Sequence, residues 1–124
     1  MFLASVHNVA GQVFGPQYYD DAIEVAKRGV EAEQFGPAIR IELSRAYAGK
    51  KDYPNAIEQA RIAAEMDPSY VDAWLMTATL YEESGDKAAA AEFLKKYDPY
   101  RPGYERVVET IKRLEASATA TPAP

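Results

Sequence analysis

Apolar residues along this chain return mostly at intervals of three and four, the spacing that gathers them on one side of an α-helix. Leu43 and Tyr47 stand four apart, and Ala56, Ala60 and Ala63 follow at one-turn intervals. Between the two sets lies the polar break Lys50-Lys51-Asp52, with Pro54 in a first turn, where its missing N–H has no partner to lose. Asp67-Pro68 ends the run, since proline cannot continue a helix and holds the residue before it extended. The pattern predicts two helices, 38–49 and 53–66, paired as a hairpin. Ser44, Ala56 and Ala60 are the small residues that let the backbones approach, and Leu43 and Tyr47 fill the space beside them.

Helical spacing continues on both sides. Val6, Val9, Ala10 and Val13 fit a first helix, weakened by β-branching and by Gly11. Asp20-Asp21 heads a second, where carboxylates suit the helix dipole, and Ala22, Ile23, Ala26 and Val30 carry it to about Glu33. A helix over 71–84 stops at Gly85-Asp86, and an alanine-rich one over 87–97 turns Phe93, Leu94 and Tyr97 inward. Pro102 opens a last helix to about Ala116, with Tyr104, Val107, Val108, Ile111 and Leu114 on one face and charges on the other.

The hairpin is written more than once. Tyr19, Ala22, Ile23 and Ala26 recur as Tyr53, Ala56, Ile57 and Ala60, an offset of 34 residues. The same offset carries Ser44 to Ala78, Tyr47 to Tyr81, Ala56 to Ala90 and Arg40 to Trp74. Together with Pro68, these positions resemble the tetratricopeptide repeat family. Arg40 stands where that family has tryptophan, Thr77 where it has leucine, and Ala60 where an aromatic is commoner. The resemblance implies an all-α fold, an α–α superhelix of about three helical hairpins plus a C-terminal capping helix. Its expected extent is one domain over 1–116, with repeats at about 3–36, 37–70 and 71–101, the cap at 102–116 and a flexible tail at 117–124.

Composition narrows the function. With 14 basic and 19 acidic residues the net charge is −5, a poor match for a phosphate backbone, so no nucleic-acid partner is expected. The chain has no cysteine, which excludes disulfides, zinc thiolates and thiol nucleophiles. No apolar run approaches the length of a membrane span, and the opening residues lack a basic leader, so a cytoplasmic chain without membrane insertion is expected. His7 is the only histidine and has no local carboxylate or nucleophile. Glu82-Glu83 and Asp20-Asp21 are adjacent pairs that do not flank a common bond. No phosphate loop or metal triad appears, so neither catalysis nor a cofactor is expected.

Stacked hairpins of this family form a curved surface lined by the first helix of each pair. The face away from the Leu43/Tyr47 seam holds Ile41 and Arg45, and one period later Asp72, Leu75, Thr79 and Glu82. These six are the candidate groove for a protein or peptide partner. The family's best-known subclass clamps a chaperone's C-terminal carboxylate with lysine and asparagine. Here the corresponding positions carry His7, Gly11, Ile41, Glu42, Arg45, Asp72 and Met76, and that ligand is not expected. The leading function is therefore a non-catalytic interaction scaffold. The alternatives are a regulatory segment of a larger enzyme or membrane protein, and a structural protein that forms homo-oligomers through the stack ends.

Overall fold

The computed structural model describes residues 2–15, 17–32 and 36–119. They form seven helices and no strand: α1 (Phe2–Phe14), α2 (Gln17–Ala32), α3 (Gly36–Gly49), α4 (Tyr53–Met66), α5 (Val71–Glu83), α6 (Lys87–Leu94) and α7 (Tyr104–Thr119). Each helix packs on the next, and α1 also touches α3 while α5 touches α7. α3 and α5 approach each other less closely. The result is an α–α superhelix of stacked hairpins, as expected. Glu33, the expected end of α2, and residues 120–124 of the expected tail lie outside the described residues.

The α3–α4 seam follows the small-against-large pattern. Ala56 and Ala60 are fully buried, and the buried Ser44 hydroxyl donates to the Ala56 carbonyl at 2.7 Å. Serine thus serves here as a small residue that also satisfies a helix carbonyl. One period later Trp74 lies 4.7 Å from the Phe93 ring and edge-on to Tyr97 at 5.3 Å. The equivalent pair in the preceding hairpin is polar: Arg40 donates to Gln59 at 3.0 Å. Both positions of the aromatic pair thus carry polar residues 34 positions earlier.

Two glycines face the Tyr19 ring of α2 at close range. A Cβ placed on Gly11 of α1 would stand 2.7 Å from its ring, and one placed on Gly49 of α3 would fall inside the ring's contact distance. The ring is wedged between two helices that only glycine lets so near.

The C-terminal end departs from expectation in three ways. α6 stops at Leu94 rather than Tyr97, the chain passing into turns, although Tyr97 stays buried and its hydroxyl donates to the Pro102 carbonyl. Pro102 does not open α7, because Gly103 follows it at φ 80° and the helix begins at Tyr104. α7 then runs to Thr119, past the expected end at Ala116. Its apolar side packs where expected: Val107 and Leu114 are buried in one cluster with Ala91, Leu94 and Tyr97. Pro102 and Tyr104 lie 34 residues after Pro68 and Tyr70, so α7 occupies the register of a first helix and sits beside α5 accordingly.

Candidate functional site

The helices α1, α3 and α5 line one side of the stack, and their side chains meet in columns 34 residues apart. Asn8 of α1 donates through Nδ2 to the Glu42 backbone carbonyl and to its carboxylate, both at 2.9 Å. Arg45, one turn along α3, donates to the other carboxylate oxygen at 2.7 Å. Asn8 is 4% and Glu42 7% exposed, so this carboxylate is nearly out of water and held by two donors. The Asn8 Oδ1 atom is also buried and has no donor.

Three open depressions adjoin along this face, and Arg45 lines all of them. One, of about 240 Å³, lies between α1 and α3 and includes Ser5, Asn8, Val9, Gln12 and Glu42. A second, of about 350 Å³, includes Ile41, Tyr70, Asp72, Met76 and Thr79. A third, of about 310 Å³, shares Gln12 with the first and Met76 and Thr79 with the second, and reaches Tyr19 and Glu83. The second and third open where α3 and α5 stand apart, and shared lining residues link all three into one trough-like face.

Four of the six candidate residues, Ile41, Arg45, Asp72 and Thr79, are brought together around this trough. Ile41 supplies little free surface, being 4% exposed in a cluster with Ala63, Ala64 and Ala73. Leu75 and Glu82 are placed elsewhere: Leu75 packs in the cluster that contains Val107 and Leu114, and Glu82 pairs with both guanidinium nitrogens of Arg113 at 2.8 and 3.1 Å. The cause is α7, which lies beside α5 and covers that flank. It also reaches Asp72, to which Arg106 donates at 3.1 Å. The Arg113 hydrogen bonds hold the Glu82 carboxyl below the usual carboxylate range against an opposing push from burial, and raise Arg113 in turn.

Asn8, Gln12 and Tyr70 are absent from the candidate set. Asn8 falls in one column with Glu42 and Met76, so alignment at the 34-residue offset is the signal that finds it. Among the described residues no three His, Asp or Glu side chains gather as metal ligands, and no helix is long and apolar enough to cross a membrane.

Antiparallel helix pairs stacked with a fixed period define a helical-repeat solenoid. The Tetratricopeptide repeat family profile matches residues 18–70 and 41–105, and the chain belongs to that family. No curated protein matches it in sequence. Among solved structures it resembles the Sgt2 TPR domain from Aspergillus fumigatus, with 25% identity, a TM-score of 0.68, and 98% of this chain and 83% of that one covered. It also resembles the first TPR of Spaghetti (RPAP3) bound to the HSP90 peptide SRMEEVD, with 18% identity, a TM-score of 0.67, and coverage of 95% and 97%.

Proposed function

We propose that this chain is a non-catalytic interaction module that holds an extended peptide or protein segment in the trough around Arg45. The observation that carries the proposal is the shared lining of three adjoining depressions. Three depressions on three successive first helices share one arginine, and a strand of polypeptide is the shape that fills such a channel. Family membership and the peptide-bound structural neighbour support the same class of partner. Met76 and Val9 offer adaptable apolar contact, while the free N–H groups of Arg45 can donate to a ligand carbonyl. Catalysis has no support from the side chains gathered there.

A photo-crosslinking residue placed at Thr79, in the trough, and separately at Lys27, on the exposed side of α2, tests the proposal in the intact chain in its source cells. Crosslinks to polypeptide from position 79 and none from 27 are expected. Crosslinks from 27 alone would move the partner to the outer surface and end this proposal.

A further inference from the structure

The charges facing the trough are not evenly matched. Each cation there is already neutralised: Arg45 by Glu42 at 2.7 Å, and Arg106, at the edge, by Asp72 at 3.1 Å. Farther along the rim Arg113 is taken by Glu82 at 2.8 Å. Among the acids lining the trough, Glu42, Asp72 and Glu83, only Glu83 has neither ion pair nor hydrogen bond among the described residues. At the opposite end the buried Asn8 Oδ1 is a second acceptor without a donor, while Asn8 Nδ2 is fully engaged. The Thr79 hydroxyl donates to the Leu75 carbonyl, at 2.9 Å, and so offers a ligand only its acceptor lone pairs. The side-chain groups left without any partner, Glu83 and Asn8 Oδ1, are thus acceptors, one of them anionic, while Arg45 keeps free N–H groups but has its charge balanced by Glu42.

A groove that captures a carboxylate needs the reverse, unmatched cationic donors. Here a ligand carboxylate would meet an arginine whose charge is already balanced, together with an unbalanced glutamate.

Resting on the trough as the binding site, we infer that its partner is a cationic segment internal to a chain. Such a segment places a lysine or arginine on Glu83 and an apolar side chain against Met76, and needs no free C-terminal carboxylate. Charge complementarity carries this choice: the uncommitted charge of the trough is negative, as is the net charge of −5 on the whole chain, so basic segments are attracted and acidic ones repelled.

Random heptapeptides displayed on phage, joined at their C-termini to the coat protein, are the probe. They are panned at low salt against the full chain and against Glu83→Lys and Thr79→Trp. Thr79 is exposed in mid-helix at the centre of the trough, so tryptophan fills the channel from outside the core. Gln12→Trp is a second block from α1 should Thr79→Trp fail to fold by circular dichroism. Peptides recovered on the native chain are expected to carry lysine and arginine about three-fold above their frequency in the library. That excess should vanish on Glu83→Lys, and recovery on the blocked chain should fall to that of bare support. Acidic or uncharged peptides that are lost on the blocked chain would overturn the cationic preference and leave the trough standing. Peptides of any charge that persist on the blocked chain, or no recovery from any chain, would overturn the trough together with the preference.

Discussion

Replacing Gly49 by alanine should lower stability, although alanine is the better helix former by about 0.5–1 kcal/mol. The new Cβ would enter the contact distance of the Tyr19 ring. Ordinarily a ring turns or slides to make room. Tyr19 cannot retreat, because Gly11 stands across from it, where a Cβ would already be only 2.7 Å away, and the ring is 8% exposed. Overpacking of this kind costs about 1–3 kcal/mol, so after the helix gain is subtracted the net loss is up to about 2.5 kcal/mol. At about 4 °C per kcal/mol, the melting temperature should fall by up to roughly 10 °C. Thermal and urea unfolding of the native chain, Gly49→Ala, Tyr19→Leu and the double variant form a cycle that isolates the contact. In the Tyr19→Leu background the alanine should become neutral or stabilising. A higher melting temperature for Gly49→Ala alone would show that the ring is not confined, and the reasoning would fail.

Ala60→Leu should overpack the α3–α4 seam and cost about 1–3 kcal/mol by urea denaturation, whereas Glu58→Ala, exposed on the other side of α4, should shift stability by less than about 0.5 kcal/mol; equal effects would contradict the seam. A chain ending at Arg101 should bind a hydrophobic dye and aggregate, because α7 covers Leu94 and Tyr97, while one ending at Thr119 should do neither. Since the Glu82 carboxyl is depressed in the folded chain, its contribution is present above the ordinary glutamate range and lost as pH falls through the folded value; melting curves between pH 6 and pH 3 should show an acid loss that Glu82→Gln reduces.

The 34-residue offset made most of the architecture legible, because helical hairpins are local units whose small, aromatic and proline positions each have a steric purpose. Part of what it left out came from contacts between repeats. Leu75 and Glu82 occupy groove positions by count, yet α7, in first-helix register, sits on that side of α5 and takes both. α6 is expected to reach Tyr97, whose side chain does turn inward, but that buried tyrosine hangs from a turn after the helix has ended at Leu94. The Arg40–Gln59 exchange was visible only by halves: Arg40 stood out as a missing tryptophan, while Gln59 carried no signal until the two were seen 3.0 Å apart. The Asn8–Glu42 bond belongs to the same kind, a pair specified across 34 residues that neither partner announces alone.

The replacement of the Trp74–Phe93 pair by Arg40–Gln59 in the preceding hairpin bears on the order in which the chain assembles. In a linear array each unit contributes its own stability and that of its junctions, and ordering can begin wherever the local gain is greatest. The stretch containing Trp74, Phe93, Tyr97, Leu94 and Leu114 has the richest aromatic and apolar packing, so the nucleus is expected there, late in the chain. A ribosome adding about 5–20 residues per second would then release α1 to α4 several seconds before their template exists. During that interval the uncharged α1, whose Val6 and Val9 remain 44% and 59% exposed even in the finished stack, is the segment most open to capture by a chaperone.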